Sequence, residues 1–302
     1  MKGSQYNAVR RRVVKWCNGF ASREKSFMNI ESYGEIERFL IEPKKEKMDF
    51  IKLGTTCNML STWYAADFLE KYFKKENNCI IPLKQSMLWG FVDYMLYEEG
   101  KMGDIAPVNL VYMCLSACNM LILQNENEAE RLLRYAISDR INSPEMSGTV
   151  CQFIVNMYSL FFMDNKLFLD YVEPLDNVYQ ELLDKLSDET SLDINDSVNK
   201  VCDFHLSRTK TDQEFDIETI MLFPSEILAP FLLKKRIKPD MVDLEHPLVK
   251  ELVPIVESLS GVDNDPVYVR VIDEIGRYKI RKLNNGSLFY VRDDCNASTG
   301  VG

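Results

Sequence analysis

Two stretches of this chain carry no charged residue, Ile105 to Asn125 and Met146 to Met163. A helix without charge must be covered on every side, by other helices or by lipid. The first stretch has the length of a membrane span, but it contains Pro107, Asn109, Asn119 and Gln124; the second is short and holds Gln152 and Asn156. With a mean hydropathy of −0.20 and charge throughout the remainder, the reading is two central buried helices and no membrane insertion.

Around them, apolar residues recur at helical spacing almost from end to end. Val9, Val13, Trp16 and Phe20 make one stripe on a helix from about Gln5 to Ala21, bordered by Arg10, Arg11, Arg12 and Lys15. A second helix is expected from about Glu31 to Phe39. Thr55 and Thr56 stand where they would cap a third, with Met59, Trp63, Ala66, Phe68, Leu69 and Phe73 on its face. Pro82 opens a fourth, carrying Met87, Leu88, Phe91, Met95 and Leu96 and stopping at Gly100. A charged helix near 126–140 separates the two uncharged ones, and an amphipathic pair follows near 164–186 and 191–208. Phe223 to Arg236 and Pro247 to Leu259 form a further pair, and Asp265 to Ile275 adds a short helix.

This alternation of buried and solvated helices predicts an all-α, multi-helix bundle of stacked antiparallel helix pairs, with residues 1–276 as a single helical domain. Residues 277–293 read as a small C-terminal β-hairpin about Asn284-Asn285-Gly286, and 294–302 as a flexible tail. No repeat of fixed length is detectable.

At 302 residues the chain is long enough to bury a substantial core. Its formal net charge of −10 argues against direct nucleic-acid binding, which draws on lysine and arginine clusters, and favours a basic protein partner. Of the eight cysteines, Cys114, Cys118 and Cys151 lie in apolar runs as small hydrophobes, not in a disulfide framework. Lys2 and Arg10 to Arg12 supply positive charge, but no continuous apolar segment follows as in a signal peptide. A reducing cytoplasm is the expected location.

Catalytic chemistry finds little purchase. There are two histidines, His205 and His246. Cys114 and Cys118 lie one helical turn apart and could share a metal, but their neighbours are those of a buried helix. Cys202 and His205 also share a turn, without an oxyanion-hole motif or an orienting third residue. His246 precedes Pro247 where a helix is expected to start, suiting a cap or interhelix hydrogen bond with Glu226 as partner; a general-base role is the alternative. No GxSxG, Walker-type or GxGxxG segment occurs, and no DxD or ExxH spacing singles out a metal or sugar-cleaving site. No cofactor and no metal is implied.

Charge patterning says more. Between residues 164 and 196, ten acids that include Asp176, Glu181, Asp184, Asp188 and Glu189 meet only Lys166 and Lys185. A second acidic segment contains Asp240, Asp243 and Glu245. These eight residues are the candidate contacts for a cationic partner; the plainer reading is a solvated helix face. The basic N-terminal helix could pair with them internally or mark a separate contact.

Phe223-Pro224-Ser225-Glu226-Ile227-Leu228-Ala229, followed by His246-Pro247-Leu248, resembles the closing region of the immunity protein 49 family of bacterial polymorphic toxin systems. The aromatic-rich segment Ser61-Thr62-Trp63-Tyr64-Ala65-Ala66 is similar in character. The resemblance implies a non-catalytic, all-helical antitoxin that binds a cognate toxin domain and occludes its active site or an essential surface. Pro224, Glu226, His246 and Pro247 would be family-motif residues, of structural role. The acidic balance would suit a basic toxin, a nuclease among them. Two other readings stand beside it, a helical scaffold or regulatory adaptor and a hydrolase using a carboxylate or His246. Homodimerisation stays open.

Overall fold

Helices α3 (Lys47–Phe73) and α4 (Ile80–Glu98) share the most extensive contact in the computed structural model. The structure describes residues 2–24, 27–42, 45–98, 109–140, 150–162, 177–209, 217–261, 264–282 and 288–292. Phe50, Leu53, Cys57 and Leu60 of α3 are buried at alternating steps of three and four residues, the stripe with which one helix lies on another. The helix begins well before Thr55 and Thr56, which sit inside it. Asp49 Oδ2 accepts the Glu46 N–H at 2.7 Å, so the first turn is capped by an acid, not by the threonines. At the far end Lys75 adopts a left-handed backbone (φ 59°), and the N–H groups of Lys75 and Glu76 close on the carbonyls of Tyr72 and Lys71, both at 3.0 Å. A 3-10 turn (Asn77–Cys79) then leads directly into α4.

The same device ends α5 (Leu110–Ile122). Gln124 takes φ 63°, and the Asn125 N–H reaches the Met120 carbonyl at 2.8 Å. Chain reversal there sends α6 (Glu126–Arg140) back along α5. In α5, Met113 to Cys118 and Met120 to Ile122 are buried, and in α7 (Val150–Phe161) every residue from Val150 to Ser159. The two uncharged segments are therefore interior helices. Polar groups in α7 satisfy one another, with Gln152 Nε2 donating to Asn156 Oδ1 at 2.8 Å and Ser159 Oγ to the Val155 carbonyl at 3.0 Å. Among the described residues no helix is long and apolar enough to cross a membrane.

Three further helices, α8 (Asn177–Ser187), α9 (Asn195–Ser207) and α10 (Glu218–Met221), lead to α11 (Ser225–Ile237), which is buried from Ser225 to Lys234 against α5, α7, α8 and α9. Residues 246–252 are a run of turns, where a helix from Pro247 was expected. Pro254 has no N–H for the Lys250 carbonyl, so α12 (Val253–Glu257) starts only one residue before it, and a 3-10 turn (Ser258–Gly261) follows. Helix α1 (Lys2–Glu24) lies on α3, α9 and α10, and α2 (Phe27–Ile41) lies on α3. Asp265 caps α13 (Pro266–Gly276) by accepting the Val267 N–H at 2.8 Å, and also accepts the Tyr33 hydroxyl at 2.9 Å, tying α13 to α2. Strands β1 (Tyr278–Lys282) and β2 (Leu288–Arg292) pair antiparallel in the register Tyr278 to Arg292. The expected Asn-Gly turn and the tail lie outside the described residues.

Trp89 is fully buried, edge-on to Tyr33 and Tyr268, whereas Trp63, Phe161 and Phe162 are half-buried. The seven cysteines among the described residues are buried, and no two of them form a disulfide.

Phe153 is fully buried and stacks on Tyr179 with ring centroids 4.7 Å apart. Phe153→Ala should lower the unfolding free energy by about 3–5 kcal/mol in urea titrations. Ile41→Ala, at a residue 73% exposed, should stay within about 0.5 kcal/mol. Asp93, 7% exposed, takes its hydrogen bond among the described residues from Asn58 Nδ2 at 3.3 Å, and burial pushes its carboxyl up to about 7. An unfolded aspartate titrates near about 3.9, so between these values the native state binds more protons and its stability falls as pH rises. Asp93→Asn should remove that decline, gaining up to about 4 kcal/mol at pH 8 and almost nothing at pH 4 in melts across the range. Parallel curves for the two proteins would contradict it.

Candidate partner-binding surface

Helix α9 presents Asn195, Val198, Cys202 and His205 on one buried face, at steps of three, four and three residues. Its polar ends fix everything around them. At the C-terminal end, His205 Nδ1 lies 2.7 Å from Glu226 Oε1 on α11, and Nε2 lies 3.2 Å from the Met221 carbonyl; both side chains are inaccessible to solvent. A carbonyl only accepts, so Nε2 carries a hydrogen. One further proton lies between Nδ1 and Oε1, and the pair is neutral as a unit whichever atom holds it. Burial, with Glu226 beside it, pushes the Cys118 thiol well above its usual range.

Glu226 is therefore the partner of His205, not of His246. His246, itself buried, accepts the Leu248 N–H on Nδ1 at 3.1 Å and turns Nε2 toward Asp203 at 3.4 Å. The bond to Leu248 closes a turn and does not cap the expected helix, and the acid facing His246 is Asp203 and not Glu226. Pro224 stands at the N-cap of α11 and Pro247 in the turn after His246. Among the described residues no group of three or more histidine, cysteine or carboxylate side chains gathers as a metal site would.

At the other end of α9, the Asn195 side chain brackets the two acidic segments. Its Nδ2 donates to Asp193 Oδ1 at 2.9 Å and to the Asp243 carbonyl at 3.1 Å, while its Oδ1 accepts the Glu245 N–H at 2.9 Å. The Val242 N–H also reaches the Leu192 carbonyl, at 3.0 Å. From α11, the buried Lys234 donates to the carbonyls of Lys185, Leu186 and Asp188 at the end of α8. Burial lowers the pKa of its ammonium.

Segments far apart in sequence thus meet on one face. Asp184, Asp188, Glu189, Asp240 and Glu245 are exposed and have no ion-pair partner among the described residues. Glu181 pairs with Lys200, and Asp243 with Lys235 at 3.1 Å. Asp176 lies outside the described residues. Hydrogen bonds from the Thr190 hydroxyl and N–H hold Asp188 below the usual carboxylate range, and bonds from the N–H and side chain of Asn195 do the same for Asp193. Between the acids, Leu192 and Val242 stand side by side and exposed, at 42% and 43%. Sequence reading missed both, along with Asn195; the signal was an apolar residue beside an acid in each segment, Leu192-Asp193 and Val242-Asp243. The basic stretch of α1 does not join this face, since Arg12 pairs with Glu218 at 3.1 Å and Arg10 lies over the Phe73 ring.

Breaking the buried pair by Glu226→Ala should cost about 3–5 kcal/mol of stability. His246→Ala, which leaves a partly solvated acid and one free N–H, should cost about 1–2 kcal/mol in the same urea titrations. Comparison with known proteins adds no relative, for no family model, curated protein or solved structure matches the chain.

Proposed function

We propose that this chain is a non-catalytic binding protein that neutralises a basic toxin domain by occluding it, through the face formed by residues 184–193 and 240–245. The observation that carries the reading is the meeting of two acidic segments around exposed Leu192 and Val242, held by Asn195. An apolar centre with a charged rim is the anatomy of a protein interface. Unpaired acids at the rim speed encounter with a cationic surface, and the apolar pair adds contact once water is expelled. The neutralising role rests on the resemblance of residues 223–248 to immunity proteins. Burial of Glu226 and His246 keeps them from a macromolecular partner and from substrate, which weighs against hydrolysis through His246.

The test is to tag the chain, recover it from its own cells and weigh what accompanies it. One stoichiometric basic partner, toxic alone and harmless with this chain present, is the expected result. Reversal of Asp188, Glu189 and Asp240 to lysine should weaken that complex at least about tenfold and flatten its salt dependence. Leu192→Ala with Val242→Ala should weaken it by about 1–2 kcal/mol, mainly through faster dissociation. A changing set of substoichiometric partners would favour the adaptor reading.

A further inference from the structure

A cavity of about 290 Å³ lies where α3, α4, α5 and residues 217–225 meet, and it draws on none of the acidic-face residues. Its apolar wall includes Phe68, Met87, Leu115 and Phe223, and Asp93 is the one charged residue among the described residues that lines it. Ser116 Oγ and Asn119 Oδ1, also in the lining, are buried with no hydrogen-bond partner among the described residues, and Ser116 is 4% exposed. Not every wall group is idle. Ser61 Oγ donates to the Ser86 carbonyl at 2.8 Å, and a Cβ on Gly90 would come within 3.0 Å of that oxygen, so the close approach of α3 and α4 here uses a glycine.

The unmet groups have one polarity. Asn119 Oδ1 only accepts and Ser116 Oγ can do so, as does the Asp93 carboxylate beside them, and among the described residues no lysine or arginine lines the cavity. A buried carboxylate with a single long hydrogen bond gains most from a ligand that brings its own positive charge. Phe68, Tyr94 and Tyr112 also line the cavity, and aromatic rings attract the same charge. The volume equals the liquid share of about ten waters, which limits the occupant to about ten non-hydrogen atoms.

We propose that this cavity binds a small organic cation, a primary ammonium on a compact apolar body, with the ammonium on Asp93 and donors to Asn119 and Ser116. Three probes of one shape and different charge test it by calorimetry on the full chain at pH 8: 2-phenylethylamine, 2-phenylethanol and phenylacetate. The amine should saturate a single site with Kd below about 1 mM, the alcohol should bind at least about tenfold more weakly, and phenylacetate should not bind. Asp93→Asn should lower amine affinity at least about tenfold and leave the alcohol within about threefold. Amine affinity should also rise at least about threefold from pH 6 to pH 8 as Asp93 ionises. The other titratable groups that feel Asp93 are Cys57, Tyr94 and Tyr97, each pushed upward by burial and neutral over this range. Should Asp93→Asn fail to fold, that pH series decides. No saturable amine binding, equal binding of amine and phenylacetate, or affinity indifferent to Asp93 and to pH would overturn the proposal.

Discussion

The contact between His205 and Glu226 is the constraint on which the rest of this architecture turns. It sits fully buried between α9 and α11, in a part of the chain otherwise given over to apolar packing. Separately, each ionised group would cost several kcal/mol to hold there; together they form a neutral unit with one shared proton. Direction matters as much as energy. Because the imidazole also meets the Met221 carbonyl, its ring plane is fixed at both nitrogens, and α9 is held to α11 by one contact and to the end of α10 by the other.

Fixing α9 places two further anchors. Asp203, two residues before His205, meets His246, and Asn195 at the far end of the helix holds the 240–245 segment against 188–193. The acidic face is thus a consequence of core packing. Its carboxylates are exposed, but the backbone under them is pinned by a buried amide and by Lys234. A surface prepared in this way loses little conformational entropy on meeting a partner, which favours tight binding over the loose contacts of a mobile acidic loop.

What could be read in the sequence depended on whether the signal was local. Uncharged runs announced α5 and α7, because a helix with no polar face has nowhere to go except the interior. The boundaries of α6 and the short helix beginning at Asp265 were also legible, since a charged helix between two uncharged ones and an Asp-Pro start are local patterns. Partners across the fold were not. His246 looked like the mate of Glu226 because both fall in one motif, yet the mate is His205, on a separate helix. Asn195 fell inside an expected helix and an acidic run without a signal of its own, and only tertiary contact gives it two segments to join. Asp93 was hidden by its apolar neighbours, which read as one more buried stripe; a lone acid inside such a stripe was the available warning.

Three carboxyl residues are buried among the described residues, Asp93, Glu226 and Glu274. Glu226 has His205, and Glu274 has Arg277 at 3.1 Å. Asp93 has, among the described residues, only the long contact to Asn58, on the wall of a cavity where Ser116 Oγ and Asn119 Oδ1 are without partners and can also accept hydrogen bonds. An apolar side chain at this position would pack without the desolvation penalty, so the fold gains no stability from the acid. A group that weakens the empty fold and faces open volume is explained more simply by what enters the cavity than by what surrounds it. The two proposed sites then divide the molecule by mechanism: an exposed face assembled through α9, where charge would guide a macromolecule, and an internal cleft between α3, α4 and α5, where one carboxylate would meet a counter-charge.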